Sequence, residues 1–372
     1  MDRNVIFNED CLAGLARMPD ESVQCCVTSP PYFGLRDYGT AQWEGGDADC
    51  DHMKVSDPVK AIRTSTLAGG KKTTGHLQEG FGVLCGKCGA IRVDQQIGLE
   101  ETPESYVGKL VSVFREVRRV LRNDGVLWLN LGDSYAMSTK GSSGKGKIQI
   151  SNVGAFLKDR RSKVPNGLKP KDLIGIPWRC AFALQADGWY LRQDIIWSKP
   201  NPMPESVKDR CTKSHEYIFL LTKSPRYFYN ADVIKTDGTM QRSGNTQHKY
   251  VNGQQLDRTK SGFLEMRQKQ YAKVNKRSVW EIAPQSYHGA HFATFPEELV
   301  ETCLLAGTRP GDTVLDPFMG SGTVARVAVR WQRHYLGCEL NPAYLDLTDD
   351  RLTNLQINLL GANGERPVDN GA

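Results

Sequence analysis

The sequence predicts an α/β protein built on a doubly wound sheet, and three observations carry that prediction. Short apolar runs alternate with stretches of helical periodicity, glycine or proline marks the junctions, and two of the runs end in motifs suited to the carboxyl edge of such a sheet, where ligands bind. In chain order, Val23–Thr28 reads as a strand ended by Pro30 and Pro31. Residues 106–121 carry helical periodicity through Tyr106, Leu110, Val113, Phe114, Val117 and Leu121, and Gly125 then permits a turn into a strand over 126–131. A helix over 172–185 is interrupted or opened near Pro177. Strands follow over 190–197 and 217–222. A helix beginning with a proline spans 296–306, followed by a short strand at 313–315, a helix at 323–330 and a strand at 335–338.

At 372 residues the chain has room for one large core and a smaller appended unit, and needs no cross-links to be stable. Residues 1–10 lack the apolar stretch and cleavage motif of a secretory signal. No run nears the roughly 18 apolar residues of a membrane span. A reducing, cytoplasmic setting is therefore expected, in which ten cysteines point to metal ligation more than to disulfides. The net charge of +6 is uneven. Residues 138–171 hold seven Lys and two Arg against one Asp, in a segment rich in Gly and Ser. Residues 231–280 hold six Lys and four Arg against three Asp and one Glu, among many Gln and Asn. Both read as surfaces facing a polyanion, because cations displace counterions from phosphates while Gln, Asn and Arg read base edges. An ordinary solvated surface is the alternative for either stretch alone.

The strand at 313–315 runs into Asp316, Pro317, Phe318, Met319, Gly320, Ser321, Gly322 and Thr323. Gly320 and Gly322 let the backbone approach a ligand, while the following helix offers its amino terminus. No Lys-Ser/Thr pair follows the glycines, which removes the phosphate-cradling nucleotide loop. One strand later stands Glu339, placed as the acid that grips ribose hydroxyls in a Rossmann-like unit. A dinucleotide or a nucleoside cofactor fits equally well at this point.

Thr28, Ser29, Pro30, Pro31 and Tyr32 discriminate. They follow a strand, and the two prolines hold the backbone that must meet the substrate. This Thr-Ser-Pro-Pro-Tyr run, with Asp-Pro-Phe-Met-Gly-Ser-Gly-Thr far downstream, resembles the amino-methyltransferases of restriction-modification systems and phages, in the permuted (beta) class whose catalytic motif precedes its cofactor motif. The likeness extends through residues 33–39, 128–134, 197–202 and 295–297, and covers most of the chain outside 40–97 and the two basic stretches.

The resemblance implies a Rossmann-like, S-adenosylmethionine-dependent methyltransferase fold with circularly permuted motif order. It assigns the methionine part of the cofactor to Asp316, Phe318, Gly320, Gly322 and Thr323, the ribose to Glu339, closure over the methionine to Phe295 and Pro296, and a polar position near the adenosine to Asp10. Ser29, Pro30, Pro31 and Tyr32 become the catalytic residues. The implied organisation is a core from 1–39 and 98–230, an insertion over 40–97, a basic mobile loop over 138–171, target recognition over 231–280, a cofactor-binding part over 281–350 and a tail over 351–372. Double-stranded DNA is the implied partner; a homodimer and a cognate restriction endonuclease stay open.

An exocyclic amine conjugated to a base is a poor nucleophile. The Ser29 hydroxyl and the Pro30 carbonyl can accept its hydrogens and favour a more tetrahedral nitrogen, while Tyr32 stacks on the base. Ser29 is no strong base, so methyl transfer precedes proton loss and no cysteine nucleophile is needed; Cys25 and Cys26, inside the strand, read as core. The base must be flipped out of the duplex. Trp197, Lys199 and Asn201 either line its pocket or close the fold. Ser29, where adenine-directed relatives usually carry Asp, points to N4 of cytosine, with N6 of adenine as the alternative; carbon methylation lacks its Pro-Cys motif. A binding module without turnover and an RNA or protein amine target are the rival readings.

Cys50 and His52, then Cys85 and Cys88, form a Cys-x-His plus Cys-x-x-Cys arrangement suited to tetrahedral zinc. The glycine-rich stretch between them offers no core of its own, so a structural metal would stabilise the insertion. Incidental free cysteines, or a different fourth ligand such as His76, are the alternatives.

Overall fold

Among the described residues, eight strands form one mixed sheet. They are β1 (Val5–Phe7), β2 (Val23–Thr28), β5 (Leu121–Leu131), β6 (Tyr190–Ser198), β7 (His215–Thr222), β8 (Val279–Glu281), β9 (Thr313–Asp316) and β10 (His334–Cys338), in the spatial order β1-β10-β9-β2-β5-β7-β6-β8. All run parallel except β7, which is antiparallel to both its neighbours. A separate two-stranded hairpin pairs β3 (Gln42–Glu44) with β4 (Ile91–Val93). The computed structural model describes residues 3–34, 40–51, 85–136, 164–165, 167–202, 204–237, 250–251, 254–255, 273–286, 293–294 and 296–361. Most of both basic stretches, together with His52, His76 and Phe295, lies outside them.

Helices cover both faces. Alternation along β2 sends Cys26 to one face, against α1 (Cys11–Ala16), α2 (Pro103–Val120) and α3 (Ile176–Ala186). It sends Cys25 and Val27 to the other, against α4 (Glu297–Gly307) and α5 (Thr323–Arg330). Both cysteines are fully buried. Helix α2 buries Tyr106, Leu110, Val113, Phe114, Val117 and Val120, each large apolar side chain stabilising by about 1.5–3 kcal/mol relative to exposure. It starts three residues before the expected 106 because Thr102 accepts a hydrogen bond from Ser105 N at 3.1 Å and Pro103 occupies the first turn.

One expectation holds and three are corrected. The helix read over 172–185 as interrupted or opened near Pro177 opens there, at Ile176, because Gly175 sits at φ +78° and Pro177 belongs to the first turn. Its amino-terminal amides are satisfied from a distance: the Asp133 carboxylate accepts from Gly175 N at 3.0 Å and Ile176 N at 3.1 Å. Gly125 does not turn the chain; β5 runs through it from Leu121, and the register against β2 shifts between Val23 and Cys25. A Cβ at Gly125 would lie 2.7 Å from Leu121 Cδ2 and 3.0 Å from Gln24 O, so the irregular crossing needs glycine. At the far end, helix α6 (Pro342–Gly361) crosses residue 351, where a tail was expected. Its Leu352 and Leu355 are buried, and Arg351 Nη1 donates to Ser321 O at 2.6 Å. Likewise the stretch 231–280 is not all appended surface, since Ile234 and Trp280 belong to the core.

Candidate active site

Strands β9 and β2 are neighbours, with Val314 opposite Cys25 and Leu315 opposite Cys26. The two motifs that leave their carboxyl ends therefore meet, although nearly the whole chain separates them. Buried Thr28 donates its hydroxyl to Asp316 Oδ1 at 2.6 Å and ties one motif to the other. Between them opens a cavity of about 360 Å³.

One half of the cavity is lined by Ser29, Pro30, Pro31, Tyr32, Asn130, Trp197, Lys199 and Glu216. Tyr32 donates its hydroxyl to Glu216 Oε2 at 2.5 Å, and Asn130 Nδ2 reaches Tyr32 Oη at 2.7 Å, Glu216 Oε2 at 3.0 Å and Ser29 Oγ at 3.2 Å. The carboxylate is acceptor only, so it decides that the Asn130 NH2 faces this network. Asn130 Oδ1 is then buried without a partner in the described structure. Burial, and next the adjacent Glu216 carboxylate, pushes the Tyr32 phenol well above its ordinary range, so Tyr32 stays protonated and keeps donating. Lys199 ion-pairs with Glu216 and lies 4.3 Å from the Trp197 ring centroid. The Tyr32 ring fits because residue 132 is glycine; a Cβ there would collide with Tyr32 Cε2.

The other half is lined by Glu9, Asp10, Cys11, Asp316, Pro317, Phe318, Met319, Gly320, Ser321, Thr323, Cys338, Glu339, Leu340 and Tyr344. Gly320 holds φ +54°, and the direction its Cβ would take is open, Phe318 O being the nearest atom at 3.9 Å. Glu339 accepts from Gly320 N at 2.7 Å and Asn341 N at 2.8 Å, and burial raises its pKa. Complete burial, eased by the Thr28 hydroxyl and Phe318 N–H and worsened by Glu339, pushes the Asp316 carboxyl up to about 7. Four acids thus face this half, of which Glu9 is paired with Arg17. The one cation lining the whole cavity among the described residues is Lys199, already engaged by Glu216. A pyrophosphate would meet like charge here, whereas a cofactor carrying a cation and ribose hydroxyls would find acceptors. That favours a nucleoside cofactor over a dinucleotide.

The family model for DNA methylases of the N6/N4 methyltransferase type matches residues 23–350. The chain belongs to that family. The type II methyltransferase M.Cfr9I of Citrobacter freundii is 40% identical to this methylase over 355 residues, 95% of this chain and 89% of its own. M.XycI of Xanthomonas campestris pv. cyanopsidis is 41% identical over 359 residues, 96% of this chain and 90% of its own. Among solved structures, the PvuII DNA methyltransferase (cytosine-N4-specific) covers 98% of this chain and 94% of its own at TM-score 0.53 and 16% identity. A putative DNA modification methylase of Thermus thermophilus, complexed with S-adenosyl-L-methionine, covers 94% and 93% at TM-score 0.50 and 20% identity. These two are likenesses of fold.

Of the residues the sequence singled out in this methylase, Ser29, Pro30, Pro31, Tyr32, Asp10, Asp316, Phe318, Gly320, Thr323, Glu339, Trp197 and Lys199 line the one cavity. Asp10 also caps α1, accepting from Leu12 N at 2.9 Å, and Trp197 is mostly core, donating its indole N–H to Ile282 O at 2.9 Å. Cys50, Cys85 and Cys88 lie apart from the cavity, and three of the cofactor and base-pocket candidates do not line it either. Gly322 caps α5 at φ +74° with its Cβ direction against Thr348, Pro296 is buried as the cap of α4, and Asn201 is exposed beyond β6. Sequence reasoning missed Asn130 and Glu216. An amide between Leu129 and Leu131 in an apolar strand was a legible signal for the first. Glu216, at the start of the reversed strand β7, gave none.

The methylase's Asp316 yields a pH prediction. Its folded pKa lies above the unfolded value, so its contribution to stability is complete below about pH 4 and is lost as pH rises through about 7. Between pH 5 and 8 the ligand-free protein is expected to lose melting temperature relative to Asp316→Asn. Parallel melting curves for the two proteins would remove this role from Asp316.

Proposed function

We propose that this methylase transfers the methyl group of S-adenosyl-L-methionine to N4 of a cytosine flipped out of duplex DNA, as a site-specific type II modification enzyme. The observation that carries the reading is the Ser29 hydroxyl, bonded to Asn130 in the cavity wall beside the glycine loop, where a carboxylate would suit adenine-directed chemistry. The cofactor supplies an electrophilic methyl on its sulfonium. Asp10, Gly320, Thr323 and Glu339 bind it, and Asp316 carries the negative charge for its ammonium.

Ser29 Oγ and the Pro30 carbonyl accept hydrogens from the exocyclic amine, so its lone pair turns out of the ring and toward the methyl group. Tyr32, held by Glu216 and Asn130, keeps the base planar face in register. The proton leaves after transfer. Carbon methylation is disfavoured because a thiolate is required for it: the two cysteines lining the cavity are Cys11, whose thiol burial pushes up to about 12, and Cys338, pushed higher still. Residues 231–280 read the target sequence and 138–171 grip phosphates, with the relatives' restriction-modification context supporting a cognate endonuclease. Cys50, Cys85 and Cys88 hold a structural zinc, with His52 the expected fourth ligand from outside the described residues.

Unmethylated genomic DNA incubated with labelled cofactor, digested completely and analysed by mass spectrometry, tests the target atom. N4-methyldeoxycytidine is expected. N6-methyldeoxyadenosine as the sole product would overturn cytosine in favour of adenine, and no labelled nucleoside would overturn the enzyme reading.

A further inference from the structure

The β3–β4 hairpin connects the cysteine cluster to the catalytic cavity. Cys50 follows β3, and Cys85 and Cys88 occupy the turn that leads into β4. Their sulfurs lie within 4.8 Å of one another, those of Cys50 and Cys85 at 3.8 Å. Two thiolates on one tetrahedral zinc, with bonds of about 2.3 Å, stand roughly 3.8 Å apart. The turn is shaped around these sulfurs: Gly89 N donates to Cys85 O at 2.8 Å, Cys85 N donates to Ala90 O at 2.7 Å, and Gly89 holds φ +73°. From the segment after β3, a Cβ at Gly46 would sit 2.8 Å from Cys88 Sγ, so only glycine lets that backbone press on the cluster.

At its opposite end the same hairpin enters the active site. Thr40, just before β3, donates its hydroxyl to Asp94 Oδ1 at 3.1 Å, and the same oxygen accepts from Gln96 N at 3.1 Å. Gly34 N donates to Gly98 O at 2.8 Å, which joins this end to the segment after Tyr32. Thr40, Gln95, Gln96 and Ile97 line the cavity beside Ser29, Pro31 and Tyr32. Yet β3 and β4 are three residues each and, among the described residues, pair with no other strand. Two such strands do not hold themselves in water.

We infer that a zinc ion on Cys50, Cys85 and Cys88 locks this hairpin, and that the lock keeps Thr40, Gln96 and Ile97 in place as the base-side wall of the cavity. Binding releases the three thiol protons to solvent and involves no redox change. The cluster thereby governs access of the target base and leaves the cofactor half, built on β9 and α5, untouched. The second part of the inference rests on the methylase reading; the first does not.

The test uses the full chain purified without a histidine tag, with Cys85→Ser and Cys88→Ser beside it. Metal analysis is expected to find about one zinc per wild-type chain and almost none in either variant. Cobalt(II) added to zinc-stripped wild type should give thiolate charge-transfer absorption. In hydrogen exchange, amides of β4 and of residues 94–98 should exchange at least about tenfold faster in the variants, with β9 and α5 unchanged. The KM for DNA should rise by about tenfold or more, while cofactor affinity by calorimetry stays within about twofold. A normally folded wild type without zinc, or variants that lose zinc but keep hairpin protection and KM, would overturn the inference. So would equal loss of cofactor binding, since the cluster would then support the whole fold. Wild type that methylates nothing sinks the functional reading instead, and the metal and exchange measurements still decide the lock.

Discussion

Ser29→Ala is expected to lower kcat by about 10²- to 10³-fold and to leave the affinity for S-adenosyl-L-methionine unchanged, the loss typical of removing one oriented polar group from a reacting centre. The hydroxyl lies on the base side of the cavity, where it accepts from Asn130 Nδ2 at 3.2 Å and donates to Tyr32 Oη at 3.5 Å. Removing it takes away an acceptor for the amine at the moment its nitrogen becomes tetrahedral. Nothing is removed from the cofactor half. Single-turnover methylation with saturating cofactor, beside calorimetry on the same preparation, measures both quantities. A rate within about threefold of wild type would show that the Pro30 carbonyl and Asn130 suffice, and the role of Ser29 would fall. Glu216→Gln serves as the companion variant. It keeps the shape of the network but weakens the hold on both Tyr32 and Lys199, so a smaller loss in kcat is expected, of about tenfold.

Gly320→Val is expected to abolish cofactor binding, meaning a loss of at least about 10²-fold in affinity, while the protein still folds. Two costs add. A residue at φ +54° sits where L-side chains are strained by roughly 1–2 kcal/mol, and a β-branched one suffers more. The isopropyl group would also extend in the open direction, into the space proposed for the cofactor. Gly320→Ala should fall between, because its single methyl finds nothing nearer than Phe318 O at 3.9 Å. Gly322→Ala should behave differently: its Cβ would meet Thr348 of α6, so the expected result is a lower melting temperature with less effect on affinity in the protein that remains folded. Calorimetry and thermal unfolding of all three variants separate the two glycines. Unchanged affinity in folded Gly320→Val would remove the glycine loop from the cofactor site.

These two glycines also mark where sequence reading stops. Both stand in one loop at the end of a strand, and spacing alone gave them the same role. Strand and helix existence was legible because a strand covered on both faces reads as a short apolar run, as β2 does, and burial of one helix face imposes a period of 3.6, as in α2 and α5. The two motifs were legible because their chemistry demands unusual local sequences, a proline pair and a glycine turn. The capping of α3 by Asp133 and the passage of β5 through Gly125 were not, since they depend on a distant carboxylate and on the crossing with β2. The network around Ser29 and Tyr32 was half legible. Ser29 and Tyr32 announce themselves in a motif, whereas Glu216 reaches Tyr32 only because β7 runs antiparallel beside β5 and brings its first residues to the carboxyl edge of the parallel strands. By itself the sequence determined the sheet class, the two motifs and the family chemistry, all of which are local patterns. Tertiary structure alone decided which partners those motifs acquire, because strand order and direction are set by packing of the whole sheet and leave no trace at the residues they join.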